Sequence, residues 1–234
     1  MLAVSMRSLA LSFSVLLLAA CGRGEAPSAA AAPAAEIKAP AGTYKLDPNH
    51  VSLTWKLKHL GIADYVARFQ KFEATLNFDP AQVGNSSVTV TVDPTSVKTD
   101  FLGDFKGTHK DSPYGSFEER ISREDKFLNS DKFPNITFKS TKVESTGPGK
   151  LRVTGDLTFL GQTHPVTLDA IVTGSADQHP FTKKGAIGFK AVATFNRSEW
   201  GMTGTQQYLG DAITVEFNSE FHQAEAQEAA PTTG

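Results

Sequence analysis

From residue 43 to residue 222, apolar side chains recur at every second position in segment after segment, which restricts the chain to strands with one apolar face. Val51, Leu53, Trp55 and Leu57 alternate with Ser52, Thr54, Lys56 and Lys58. The same period runs through residues 72–78, 88–92, 136–138, 151–159, 166–172, 187–195 and 213–217. Turn chemistry separates many of these runs, as at Asp79-Pro80, Pro148-Gly149, Leu160-Gly161 and His179-Pro180. About eight such strands need either a second sheet or closure onto themselves to bury their apolar faces. Closure is the reading adopted: an all-β antiparallel barrel of about eight strands, with short helical segments.

The chain holds a single cysteine, Cys21, so disulfides cannot staple this fold and a hydrophobic core must hold it. Sixteen phenylalanines against two tryptophans and four tyrosines supply that core, each fully buried ring contributing roughly 1.5–3 kcal/mol. The net charge of −2, with acids and bases interspersed, gives no phosphate-tracking surface, so nucleic acid is not an expected partner.

The N-terminus has its own logic. Leu9 to Ala20 is an apolar run broken by two serines and preceded by Arg7; it is too short for the ~20 residues of a membrane span and has the layout of an export signal, whether translation starts at Met1 or Met6. Leu18-Ala19-Ala20-Cys21 resembles the lipobox of bacterial lipoproteins. That resemblance implies cleavage before Cys21 and its acylation by palmitate-type chains; an ordinary secretory cleavage beside a free thiol is the alternative. Residues 21–42, rich in Ala and Pro, read as a tether, residues 43–222 as the folded domain, and residues 223–234 as a frayed tail. The expected location is the periplasm, anchored to the cell envelope, with the outer membrane favoured because Gly22 rather than aspartate follows Cys21.

One region breaks the strand pattern. Residues 100–131 are charged and interrupted by glycines, yet carry Phe101, Phe105, Phe117, Phe127 and Leu128. Two readings stay open: short helical turns over a barrel mouth, or a surface excursion pinned by its rings.

Chemistry-bearing motifs are sparse. The sequence lacks a G-x-S-x-G elbow, a phosphate loop, a G-x-G-x-x-G fingerprint and an H-E-x-x-H helix, and no catalytic residue or cofactor is expected. Histidines 50, 59, 109, 164, 179 and 222 are scattered without metal-ligand spacing, so no metal is expected either, although a zinc site assembled from distant strands stays open. His59 shares the apolar side of its strand with Trp55 and Leu57; it either contacts a ligand headgroup or is a satisfied core histidine. Arg68 is either an inward anion clamp or a solvated strand residue. Asn196 reads as a cap for a short helical turn, Trp200 as a plug at the end of the core and Asp211 as a turn residue.

Several ordered blocks carry a family resemblance. They are Leu57-Lys58-His59-Leu60-Gly61 with Phe69 and Phe72, residues 131–141 (DKFPNITFKST), residues 157–168 (LTFLGQTHPVTL), and residues 195–201 (FNRSEWG) followed by Leu209-Gly210-Asp211. Together they resemble the YceI-like family of bacterial periplasmic lipid-binding proteins. The resemblance implies a lipocalin-like extended barrel around a long apolar chain of polyisoprenoid, quinone or fatty-amide type, bound and carried rather than transformed. Three features depart from the family pattern: Ala74 where glycine is common, His164 in place of a lysine, and a longer segment 100–123.

The expected lining is Trp55, Leu57, Phe72, Leu76, Val90, Phe138, Phe159, Phe189 and Phe217, with Phe101, Phe105 and Phe127 at the mouth and His59 and Arg68 at the headgroup. A structural envelope protein with a filled barrel and an enzyme acting on a lipid are the rivals, and a homodimer is an open assembly state.

Overall fold

The structure is a computed structural model and describes residues 36–225. The export signal 1–20, Cys21, most of the tether and residues 226–234 lie outside the described residues.

Eleven strands form one antiparallel sheet: β1 (Gly42–Leu46), β2 (Ser52–His59), β3 (Ala63–Phe69), β4 (Phe72–Phe78), β5 (Ser87–Val92), β6 (Val97–Thr99), β7 (Ile136–Gly147), β8 (Lys150–Phe159), β9 (Gln162–Ala176), β10 (Ala186–Asn196) and β11 (Ala212–Gln223). They amount to a closed eight-stave barrel, because three staves are broken. β11 pairs through Thr214–Asn218 with β2 and through Phe221–Gln223 with β1, so β1 and β2 are two halves of one stave interrupted at residues 47–51. β3 and β4 form the second stave, pairing with β2 and β1, and β5 and β6 form the third. β7 to β11 complete the meander.

Each of the eight periodic segments read from the sequence falls in a different stave. The halves β1, β3 and β6 were not anticipated, and each has a physical reason. β6 has three residues, β1 five, and β3 turns Val66 outward to 47% exposure, which blurs its alternation. The tether boundary also moves. Ala39 is buried, Ile37 packs on the core, and Pro40 accepts a hydrogen bond from the Tyr44 hydroxyl (2.6 Å), so residues 37–42 belong to the folded domain. At the other end β11 runs to Gln223, and the Ala224 N–H reaches the Thr43 carbonyl.

The hairpins follow local chemistry. Leu160 (φ 48°) and Gly161 (φ 73°) make the two-residue β8–β9 turn, with both residues at the positive φ that matches strand twist. Gly155, on the inward face of β8, leaves room for Phe138 to lie across it; a Cβ there would meet the ring at 2.4 Å and the Lys139 carbonyl at 2.5 Å.

Residues 100–135 adopt the helical alternative. Helices α1 (Phe105–Thr108) and α2 (Phe117–Arg123) start on side-chain caps, Asp104 accepting from the Gly107 N–H and Ser116 from the Glu119 N–H. Glu119 accepts in turn from the Gly115 N–H at 2.6 Å. Ile121 of α2 and Leu128 after it are buried in the barrel core, which seats the segment on one end of the barrel.

The candidate ligand cavity

The two ends of the barrel differ. At the end formed by β1, β4 and the last residues of β11, Tyr44, Leu76, Phe78, Ile187 and Phe221 fill the interior, each less than a tenth exposed. At the other end, beneath the helices, the staves enclose a cavity of about 930 Å³.

Alternation aims the cavity walls. Leu53, Trp55 and Leu57 enter from β2, Tyr65 and Phe69 from β3, and Val90 and Val92 from β5. Ile136 and Phe138 of β7, Leu157 and Phe159 of β8, and Val166 and Leu168 of β9 face them. Ala193 and Phe195 of β10 and Ile213, Val215 and Phe217 of β11 close the ring. Val90, Leu168 and Phe217 also pack against the filled end, so they form the floor. Phe101, Phe117, Phe127 and His109 roof it from the helical segment, and His59 with Tyr208 and Leu209 borders it from the opposite side.

Polar groups are few and placed. The Trp55 indole N–H is buried without a hydrogen-bond partner among the described residues. The Tyr65 hydroxyl also lacks a well-formed bond; burial pushes its phenol up, and nearby Thr99 opposes that. At the mouth Glu124 sits between Arg120 (2.6 Å) and Lys126 (3.6 Å), and the Arg120 guanidinium lies 5.7 Å from the centre of the Phe127 ring. Two cations share one carboxylate there.

One wall is held by a buried cation. Arg197, fully buried, donates to four main-chain carbonyls: Met202 (2.8 Å), and Gly204, Leu209 and Gly210 (3.0 Å each). Burial pushes its pKa down and the Asp211 carboxylate opposes this. Asp211 does more than turn the chain: it accepts from the Ser198 hydroxyl (2.7 Å) and the Ser198 N–H (3.0 Å), which hold its carboxyl below the usual range. It thereby caps the 3-10 turn Arg197–Trp200, the role expected of Asn196, whose side chain reaches Glu199 instead. Trp200 is the anticipated plug, 1% exposed and donating from Nε1 to the Leu157 carbonyl at 3.2 Å.

Of the residues expected at a ligand, Trp55, Leu57, His59, Val90, Phe101, Phe127, Phe138, Phe159 and Phe217 border the cavity. Five do not. Arg68 points outward beside Asp100 (3.7 Å), with its side chain 56% exposed, so no anion clamp forms inside. Phe105 is buried under the roof, stacked on His109 with ring centres 4.7 Å apart. Phe72 packs edge-on against Phe217 at the floor, and Leu76 and Phe189 belong to the filled end. Alternation told which face each residue takes but not its depth along the barrel. The same alternation marked Leu157, Val166, Phe195, Ile213 and Val215 as inward, whereas Tyr65 and Phe69 were missed with β3; Phe117, read as one ring of the 100–131 segment but not as lining, joins the roof.

Comparison with known proteins settles the relationship. Residues 44–221 match the family model described as the YceI-like domain. The chain belongs to the YceI-like family. A UPF0312 protein of Vibrio parahaemolyticus is 36% identical over 191 residues, covering 80% of this chain and 93% of that protein. One of Vibrio cholerae is 33% identical over 180 residues, covering 75% and 87%. Among solved structures, the YceI protein of Campylobacter jejuni is 28% identical, with a TM-score of 0.56 over 72% of this chain and 90% of that one. A polyisoprenoid binding domain from Saccharophagus degradans, 11% identical, shares the fold with a TM-score of 0.54 over 77% and 98%.

Proposed function

We propose that this YceI-like protein binds an amphiphile with a long apolar tail inside the hollow end of its barrel and carries or sequesters it in the cell envelope. The observation that carries this reading is the size of the cavity, about 930 Å³, against the apolar character of its walls. Water gains little there, with so few polar partners. An apolar chain gains about 0.8 kcal/mol for each methylene it buries, and the curved, aromatic lining suits a flexible polyisoprenoid, quinone or fatty-amide tail. The unpartnered Trp55 N–H offers one hydrogen bond to an oxygen of the guest, and the Arg120 and Lys126 side chains at the mouth are within the lining that its polar end would meet. Family membership supports binding over catalysis, and the open cavity speaks against a filled structural barrel. Anchoring through an acylated Cys21 in the periplasm, with the outer membrane favoured, completes the proposal and would hold the carrier near its lipid source.

Native mass spectrometry of the protein purified from its own envelope, followed by organic extraction, tests this. A stoichiometric guest with a long hydrocarbon tail is expected. A guest-free mass that persists after exposure to prenols, quinones and fatty amides would overturn it.

A further inference from the structure

Three of the six histidines, far apart in the sequence, converge outside the filled end. His179 stands in the β9–β10 connection, fixed by its own N–H to the Lys184 carbonyl (2.7 Å) and by the Lys183 N–H to its carbonyl (2.9 Å). Glu220 and His222 are two residues apart on β11, on the outward face, either side of the buried anchor Phe221. Asp47 and His50 come from the break in the first stave, which is tied to β11 by the Asp47 N–H donating to the Glu220 carbonyl at 2.9 Å.

The side chains meet at one carboxylate. Glu220 Oε1 lies 2.7 Å from His222 Nε2 and 3.5 Å from His179 Nε2, and the two imidazole rings are 4.7 Å apart between centres. All three donor atoms fall within 4.8 Å of one another, as do those of Asp47, His50 and Glu220, so Glu220 is shared by both sets. Among the described residues no lysine or arginine pairs with Glu220.

We propose that His179, Glu220 and His222 bind a divalent transition-metal ion of the Zn²⁺ class. Tetrahedral zinc with bonds of 2.0–2.2 Å sets its donors about 3.3–3.5 Å apart. The His179–Glu220 separation already meets that, and the His222–Glu220 contact must open by roughly 0.6 Å. Two imidazoles with one carboxylate are the borderline donors that zinc accepts, whereas Ca²⁺ and Mg²⁺ demand more oxygen than the set supplies. His179 Nδ1 now takes a long 3.4 Å contact from the Thr182 N–H; the exposed turn releases it when Nδ1 carries the proton that a ligating histidine keeps on its free nitrogen. The fourth position opens onto a shallow groove bordered by His50, Ser175 and Asn218 and is filled by water. His50, held by Asp47 at 2.8 Å, stands beside that position. The ion clips the β9–β10 connection to β11, a cross-link in a chain whose lone cysteine forbids a disulfide within it. This site is independent of the lipid cavity.

The test uses the full chain without an affinity tag, stripped by a chelator and titrated calorimetrically with ZnCl₂. One equivalent is expected to bind, with affinity at least 100-fold weaker in the His179→Ala/His222→Ala double variant and at least tenfold weaker in Glu220→Gln. Zinc is also expected to raise the melting temperature of the parent and not that of the double variant. Absence of a stoichiometric event, or equal affinity in parent and variants, would overturn the site and leave two histidines sharing an ordinary ion pair. If the double variant fails to fold, Glu220→Gln, which keeps the shape of the side chain, decides alone.

Discussion

The two halves of the barrel are built on the same eight staves and from the same residue types, yet one is solid and the other hollow. In the filled half, aromatic rings meet edge to face: Tyr44 with Phe78, Phe78 with Phe189, Phe189 with Phe221 and Phe221 with Phe217, at centre distances of 6.2–6.5 Å. The hollow half carries more rings, but they stand around an open space. The two ends close differently. At the filled end β1 pairs with both β11 and β4, and β4 with β5, so β1 closes the ring there. At the hollow end β6 pairs only with β3, and the gap before β7 is spanned by residues 100–135 with α1 and α2.

The halves are also held differently, and the largest predicted effect tests that. The hollow end relies on a polar clamp, Arg197 with its four carbonyls. Arg197→Met removes all four bonds and strands buried acceptors, so a loss of at least about 4 kcal/mol, or failure to fold, is expected in urea melts. A loss under about 1 kcal/mol would show that the wall stands without its clamp.

Packing gives the next contrast. Phe221→Ala in the filled half is expected to lower stability by about 3–4 kcal/mol, because a close-packed interior cannot collapse around the deletion. Phe138→Ala in the hollow half is expected to lose only about 1–2 kcal/mol, since much of that ring already faces open space. Equal losses from paired denaturation curves would erase the distinction between the halves.

Converting hollow to solid sharpens it. Val215→Phe places a ring in the cavity and is expected to change stability by less than about 1.5 kcal/mol, because the space exists and no rotamer need be forced. The copurifying guest should fall at least tenfold in extracts of equal protein mass. A variant that keeps its full guest would place the binding space elsewhere.

These contrasts mark where the sequence was legible. Period two identified all eight staves and the inward face of nearly every wall residue, because alternation is a local consequence of the pleat. Depth was not legible: Phe72, Leu76 and Phe189 share the pattern of Leu53, Trp55 and Leu57, and only the breaks at residues 47–51 and 70–71 decide which half each enters. Those breaks leave only a faint trace, since β3 and β6 are short or blurred. The polar clamp was hidden for another reason. Arg197 sits in a short turn whose sequence carries no mark of burial, and the four carbonyls that close around it lie 5 to 13 residues further on. Likewise His179 and His222 show no spacing, because a strand and a loop bring them together.

The smallest effect separates the clamp from its support. The Ser198 hydroxyl is the main cause of the lowered Asp211 pKa, so Asp211 stabilises the fold above the unfolded carboxylate value near 4 and loses that contribution as pH falls through its depressed folded value. Ser198→Ala should therefore lower stability by about 1 kcal/mol at pH 7, given that the pair is partly solvated. The gap between parent and variant should close as pH drops below about 4, where Asp211 takes up its proton in both. Melting temperatures measured in parallel from pH 7 to pH 3 check this, and a gap that stays constant with pH would mean that Ser198 acts through packing of the Arg197–Trp200 turn and not through the Asp211 charge.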